Sequence, residues 1–233
     1  MGNLLGKNSS AKIKKGKKLD YDTYILYLAP NKQNSKGVNI CPFASKGCAE
    51  ACLYTSGMGK FSNVQQARVN KTGYYVERRH EFLKQLFREV GNKLKTHKRN
   101  GKKFAVRLNG TSDINWMRQK IDGKNIFQTY PDVQFYDYTK NHFAMFENSY
   151  PNYHLTFSRS EDNEQMCLDL LSDGFNVSMV FEGELPKYYK GYRVIDGDET
   201  DLRFLDDKNV IVGLRYKRTT AKETNDFVIK NAA

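Results

Sequence analysis

The chain has 233 residues, 39% of them hydrophobic and 13% aromatic, and its 38 Lys and Arg outnumber 26 Asp and Glu to give a net charge of +12. A chain of this size with 15 Tyr and 14 Phe can bury a sizeable core, so the composition excludes a fold that depends on disulfide staples. No stretch approaches the roughly 20 apolar residues of a membrane-spanning helix, which excludes that class of membrane protein.

The first 20 residues are rich in Gly, Ser and Lys and poor in apolar residues, which predicts a flexible basic N-terminal arm over residues 1–20. The β-rich run TYILYLAP then predicts the first strand, which Pro30 closes. Because no linker rich in proline or serine interrupts the rest, we expect a single α/β domain over residues 21–233. The start of the chain lacks an apolar segment followed by a cleavage site, so we expect a cytoplasmic protein.

Three of the four cysteines lie close together, at Cys41, Cys48 and Cys52, within the segment 41–59. In a reducing compartment such clustering indicates metal or redox chemistry before it indicates disulfides. Cys48 and Cys52 are four residues apart, so one helical turn would direct both thiols the same way. Cys167 stands apart in an apolar, helical context, where a buried thiol is the ordinary expectation.

The cysteine spacing favours an iron–sulfur cluster over zinc. Structural zinc sites usually contain close cysteine pairs and four protein ligands, and this segment has no such pair. A [4Fe–4S] cluster spans more space and can be held by three cysteines, which leaves one iron for water, a small ligand or a distant residue. The segment therefore predicts a [4Fe–4S] cluster on these three cysteines, with zinc as the alternative and Cys167 as a candidate fourth ligand.

Apolar residues recur at helical spacing from Ser62 to about Lys98, which predicts helix there, with Ser62 as its cap and Gly73 dividing it in two. Beyond it the chain alternates β-rich segments with polar or helical ones, most clearly a helix capped by Ser160 and stopped by Gly174. The β-rich segments are KFAVRLNG, VQFYDYTK, YHLTFSRS, NVSMVFEG, YRVIDGD and NVIVGLRYK. This alternation predicts an α/β fold built as a partial or complete parallel (β/α) barrel.

Polar side chains gather just after the apolar part of successive predicted strands. In parallel α/β folds, the loops after the carboxyl ends of the strands build the functional face. We therefore expect a pocket there, and Lys140 and Arg159 would suit a small anionic ligand. Asp198 and Arg203 are equally consistent with simply pairing with each other. The candidate ligand-binding residues are Asn109, Asp113, Lys140, Arg159, Asp198 and Arg203.

The positive charge predicts attraction to polyanions, with an affinity that falls as salt rises. Basic residues cluster near the start of the chain and again between Lys95 and Lys103. These clusters favour contact with nucleic acid, and the alternative is that surface lysines only keep the protein soluble. No membrane partner is expected.

The string NICPFASKGCAEACLYTSGMGKFSNVQQARVNKT resembles the signature of the bacteriophage gene product 88 family, in which Cys-Pro, two more cysteines and a Gly-rich turn precede Ala-Arg and Lys-Thr. The resemblance covers roughly residues 22–220 and extends to RLNGTSDINW, FYDYTK, FSRSE, VIDGDETDLRFLD and VIVGLRYK. It implies a bacteriophage origin, a place in the host cytoplasm and a cluster, and it carries over no activity.

A fainter likeness connects the chain to radical S-adenosylmethionine barrels, which present three cysteines after the first strand of a partial barrel. The intervals of six and three residues here depart from the three and two of that family. Three functions therefore compete: a phage iron–sulfur protein with an open iron and a link to nucleic acid or phage metabolism, a zinc-containing nucleic-acid-binding module, and a radical enzyme with atypical spacing. Whether the protein is an enzyme, and its oligomeric state, stay open.

Overall fold

The computed structural model describes residues 2–7, 19–55, 57–217 and 226–230. The strands are β1 (Leu5–Lys7), β2 (Tyr21–Leu26), β3 (Lys103–Arg107), β4 (Lys120–Ile121), β5 (Lys124–Asn125), β6 (Gln134–Thr139), β7 (Tyr153–Ser158), β8 (Val177–Phe181), β9 (Tyr188–Tyr189), β10 (Tyr192–Asp196), β11 (Ile211–Arg215) and β12 (Val228–Ile229). The α-helices are α1 (Lys46–Glu50), α2 (Ser62–Glu77), α3 (Arg79–Asn100), α4 (Ile126–Thr129), α5 (His142–Glu147) and α6 (Glu164–Ser172).

Ten of these strands form one mixed sheet in the order β1-β2-β3-β6-β7-β8-β11-β10-β9, with β12 paired to β8. The strands from β2 through β10 in that order run parallel. At the two edges, β1 pairs antiparallel with β2, and β9 pairs antiparallel with β10. The strands β4 and β5 form a separate hairpin.

The predicted (β/α) barrel is wrong, because the sheet is open within the described ranges: β1 and β9 are its two edges and do not pair with each other. An antiparallel strand occupies each of the two edges that closure would have to join. The parallel pairing itself follows the alternation in the sequence. The connections around β9, β10 and β11, however, contain only a 3-10 turn at Arg203–Leu205, so this side of the sheet lacks the helices of a barrel's outer ring.

The long helical stretch is confirmed, but it divides at Arg78 and not at Gly73. Arg78 has a backbone conformation of φ −132° and ψ 53°, which is outside the helical region, and it separates α2 from α3. Phe61, without a side-chain cap, precedes α2, so the capping role predicted for Ser62 is also wrong. The helix α3 ends at Gly101, whose φ of 62° is the left-handed conformation that glycine adopts easily.

One face of the sheet is covered by α3, whose apolar stripe enters the core. The stripe consists of Phe82, Leu83, Leu86, Phe87 and Val90, all buried against strand residues. Each such side chain contributes about 1.5–3 kcal/mol on burial. The opposite face carries polar residues and is covered by the segment around Phe204, whose ring contacts those of Tyr21 and Tyr136.

The N-terminal residues do not all behave as the predicted arm. Leu4 and Leu5 are buried, and Leu5–Lys7 forms an edge strand, while residues 8–18 lie outside the described residues. The helix α6 starts after Asn163 and not at Ser160, and it stops at Gly174 as predicted, with a φ of 94°. Within the ranges that the structure describes, no helix combines the length and the apolar character needed to cross a membrane.

Candidate functional site

A cavity of about 270 Å³ opens at the carboxyl edge of the parallel strands. Its lining comes from the ends of β3, β6, β7, β8 and β11 or from the loops after them, and from the cysteine segment that follows β2. Cys41, Cys48 and Cys52 all line this cavity. The sequence rule that places function at the carboxyl ends of strands therefore located the cavity correctly, although the sheet is not a barrel.

Cys41 is held in place by the loop that returns toward β2. Its backbone N–H donates to Asn39 Oδ1 at 2.9 Å, and its Sγ accepts from the Asn31 backbone N–H at 3.3 Å. The Sγ atom also lies 3.9 Å from the Thr111 carbonyl oxygen, in the loop after β3. Two separate loops thus fix the position of this buried thiol.

Cys48 lies on the short helix α1, which a residue far along the chain holds in place. Ser45 caps the helix by accepting from the Cys48 backbone N–H. Glu161, in the loop after β7, accepts from Ser45 Oγ and from the Gly47 backbone N–H, both at 2.7 Å. The helix ends at Glu50, so the prediction that Cys48 and Cys52 share one helical turn is wrong, although both thiols line the same cavity.

The three thiols lie within electrostatic reach of one another in a poorly solvated place. The pKa of Cys41 is raised to about 12, chiefly by burial and to a smaller extent by the neighbouring Asp113, Cys52 and Cys48. Burial likewise raises the pKa of Cys52. Among the described residues, no group of three or more His, Cys, Asp or Glu side chains is arranged to hold a metal ion. Any metal bound here would displace protons from these thiols.

Arg68, on α2, is a buried cation with an incomplete set of partners. Only 9% of the residue is exposed, and its Nε and Nη1 atoms lack hydrogen-bond acceptors among the described residues. Its guanidinium lies 4.7 Å from the ring centre of Tyr27 and 5.5 Å from that of Tyr54. Burial lowers the pKa of Arg68, and the nearby Cys52 acts against that shift. A buried guanidinium without a carboxylate favours negative charge beside it.

Asp113 and Lys140 lie together on the cavity lining, as the sequence predicted. Thr139 Oγ1 donates to Asp113 Oδ1 at 2.7 Å, and the Lys140 backbone N–H donates to Asp113 Oδ2 at 3.0 Å. Burial raises the pKa of Asp113 in spite of these bonds. The Lys140 ammonium donates to Ser158 Oγ at 2.8 Å and lies 5.3 Å from the Phe227 ring centre. Among the cations of the lining, Lys140 is the best placed to bind a small anionic ligand.

Asn109 also lines the cavity, but its hydrogen bonds are all used to shape the loop after β3. Its Oδ1 accepts from Ser112 Oγ at 2.8 Å, from the Ile114 backbone N–H at 3.1 Å and from Trp116 Nε1 at 3.0 Å. Its Nδ2 donates to the Ile114 carbonyl at 3.0 Å. The predicted ligand-binding residue is therefore a structural hub that positions the cavity lining.

The lining contains Asp198, as predicted, and also four charged residues that were not among the predicted candidates: Arg107, Asp201, Arg215 and Lys217. Arg107 pairs with Asp201 at 3.1 Å, and Asp198 Oδ2 accepts from the Arg215 backbone N–H at 3.0 Å. Lys217 lies 3.7 Å from the same Asp198 carboxylate. Arg107 and Arg215 are the last residues of β3 and β11, Asp201 lies in the loop after β10, and Lys217 follows β11. The strand-end rule would have found Arg107 and Arg215 if it had been applied to the last residue of each strand.

Three predicted residues lie outside the cavity lining. Arg159 donates to the carbonyls of Asp226 and Phe227 at 2.9 and 3.3 Å, so it anchors the C-terminal strand instead of a ligand. Arg203 is buried beside Asp206 at 3.3 Å, and the alternative pairing of Arg203 with Asp198 is not seen. The fully buried Cys167 lies on α6, with its Sγ 3.4 Å from Asn163 Oδ1.

The buried Asp137, which lies beneath Asn109, should make the stability of the folded protein depend on pH. Burial raises its pKa from 3.8 to about 7, so its stabilising contribution is present below pH 3.8 and is lost as pH rises through about 7. We therefore compare the unfolding free energy of Asp137→Asn with that of the unmodified protein at each pH. The difference should shift in favour of Asp137→Asn by about 2–4 kcal/mol between about pH 4 and about pH 8. Urea unfolding at the two pH values measures the difference. An unchanged difference would show that Asp137 is ionised throughout.

Comparison with known proteins gives one match. The family model described as gene product 88 matches residues 3–231 of the chain. No curated protein and no solved structure matches it. The likeness to radical S-adenosylmethionine barrels accordingly has no support.

Proposed function

The chain belongs to the gene product 88 family of bacteriophage proteins, and from that premise we propose that it is an iron–sulfur protein of the host cytoplasm that holds a [4Fe–4S] cluster through Cys41, Cys48 and Cys52. The fourth iron is left open to a small anionic ligand within the cavity, in a step of phage metabolism or nucleic-acid handling. The observation that carries this proposal is that all three cysteines line the cavity that the strand ends build.

The arrangement of the thiols suits a cluster better than a single ion. Structural zinc sites usually contain close cysteine pairs and four protein ligands, and Cys41, Cys48 and Cys52 include no such pair in the sequence. A cubane cluster is bound at separate irons, so its thiolates stand farther apart. The alternative of a zinc-containing nucleic-acid module therefore has less support.

Charge around the thiols also suits a cluster. A [4Fe–4S] cluster held by three thiolates carries net negative charge, which is costly to bury unless cations lie near it. Arg68 interacts electrostatically with Cys52 and has two nitrogen atoms without acceptors among the described residues. Lys140 also favours the thiolate form of Cys52. These two cations offset the charge that the cluster would bring.

The remainder of the cavity suits a small anion. When bound, the cluster would supply an iron with an exchangeable coordination position. Lys140 would bind an anionic group there through its ammonium, which already donates to Ser158. Asp113 would keep the Lys140 backbone in place, because its carboxylate accepts hydrogen bonds from the Lys140 backbone N–H and from Thr139 Oγ1.

Anaerobic purification with added iron and sulfide tests this proposal. We expect about four irons per chain and a brown protein. After reduction, its electron paramagnetic resonance spectrum should change when acetate, a small carboxylate, is added. When Lys140→Gln is compared with the unmodified protein at equal iron content per chain, the spectral change should require about 10-fold more acetate. A colourless protein with one zinc per chain would disprove the cluster, and an acetate response that is equal in both proteins would disprove the role of Lys140.

A further inference from the structure

Five cations lie together at the edge of the sheet that is opposite the cavity. They are Lys95, Lys98, Arg99, Lys102 and Lys103, and all five are exposed. The first three belong to the last turns of α3, and Lys103 begins β3. Among the described residues, only Lys98 of this set has a carboxylate partner, Asp132 at 2.7 Å. We call these five residues the basic edge.

The basic edge borders a groove at the amino ends of the parallel strands. The groove has a volume of about 600 Å³ and is lined by Lys98, Lys102 and Lys103 together with Asp132 and the segments that lead into β6 and β7. Its acidic residue is already neutralised by Lys98. The groove therefore carries an excess of positive charge along one side.

The spacing of the cations favours a linear partner. Lys98 and Arg99 lie three and four residues after Lys95, so these three side chains share one face of the last turns of α3. Lys102 follows directly after the helix has ended at Gly101. The exposed residues between Asn92 and Lys103 include no large apolar side chain. Apolar side chains that insert beside the cations strengthen binding to a membrane surface, whereas a row of phosphates needs only the cations.

The ends of β1 and β2 lie beside the basic edge. Lys7 at the end of β1 pairs with Tyr24, and Tyr21 at the start of β2 pairs with Lys103. Between these two strands the chain contains a further basic sequence, residues 8–18. Its lysines, Lys12, Lys14, Lys15, Lys17 and Lys18, lie outside the described residues and are not part of the surface proposed below.

From these observations we propose that the basic edge binds the phosphate backbone of nucleic acid without reading its sequence. Four of its five members are lysines, which contact phosphates as point charges and lack the paired geometry that recognises bases. The surface lies at the opposite end of the strands from the cysteine cavity. This binding is therefore independent of the proposed cluster, and the two can fail separately.

A salt titration with a short, fluorescein-labelled DNA duplex tests the proposal by anisotropy. The triple variant Lys95→Gln, Arg99→Gln and Lys102→Gln should bind about 10- to 100-fold more weakly at moderate salt. The slope of log affinity against log salt should fall in magnitude by about 2–3, because three phosphate contacts are lost. An equivalent single strand should show the same ranking of variants.

The matched control removes the same charge elsewhere. Lys46→Gln, Lys60→Gln and Lys124→Gln change three exposed lysines of the cysteine segment and the β4–β5 hairpin, and they should keep most of the affinity and the slope. Equal weakening of both triple variants would overturn the proposal in favour of a general charge effect. Tighter binding of the unmodified protein to phosphatidylserine vesicles than to DNA would also overturn it, in favour of a membrane surface.

Discussion

Replacing Asn109 by alanine should lower the free energy of unfolding by about 3–5 kcal/mol. The side-chain oxygen of Asn109 accepts three hydrogen bonds at once, from Ser112, Ile114 and Trp116. Asn109 is only 3% exposed, so alanine would leave these donors buried without an acceptor. Each unsatisfied group costs about 1–3 kcal/mol. Urea unfolding followed by circular dichroism measures the loss.

The control for this prediction is Asn70→Ala on α2. Asn70 is exposed and its Oδ1 accepts from Gln66 on the same helix at 2.9 Å, so its replacement should change the unfolding free energy by about 0.5 kcal/mol or less. If Asn109→Ala were no more destabilising than this control, Asn109 would not organise the loop after β3. Its place on the cavity lining would then point back to ligand binding.

Replacing any one of the three cavity cysteines should have the largest effect on the iron content of the protein. Cys52→Ala should bind the cluster more than about 100-fold more weakly, because changes to groups around metal ligands alone cost about 10- to 100-fold. Cys41→Ala and Cys48→Ala should behave in the same way, since each removes one of three ligands. Iron analysis and visible absorption after identical anaerobic reconstitution report the loss.

Cys167→Ala is the matched control for the cysteine series. Cys167 is fully buried on α6 and lies outside the cavity lining, so its replacement should leave the iron content unchanged. Iron lost from Cys167→Ala but kept in Cys52→Ala would contradict the assignment of ligands. Far-ultraviolet circular dichroism of each variant separates the loss of iron from a loss of fold.

The strand positions could be predicted from the sequence because they depend on local patterns. The strand β6, with the sequence QFYDYT, is rich in the aromatic residues that favour strands and is followed by the polar Lys140 and Asn141. The position of the cavity followed from the strand ends. Local signals were sufficient wherever the decisive interactions lie within a few residues.

The remainder depended on contacts between distant parts of the chain. The open sheet could not be predicted, because the short strands β1 and β9 occupy its edges and neither has a strong sequence pattern. The role of Arg159 could not be predicted because its partners, the Asp226 and Phe227 carbonyls, lie 67 and 68 residues away. Asn109 is different, because its side-chain partners Ser112, Ile114 and Trp116 lie only three to seven residues away. A polar residue at a strand end can serve the loop or a ligand, and the sequence pattern does not distinguish the two.

The contact of Glu161 with Ser45 and Gly47 joins residues 116 and 114 positions apart in the chain. It also orders events during synthesis, because a nascent chain that has passed Cys52 already carries all three thiols yet lacks the carboxylate that anchors α1. Until β7 and its following loop have left the ribosome, the helix that carries Cys48 lacks this anchor. The cysteine pocket is therefore completed only after five of the ten strands of the main sheet have been made.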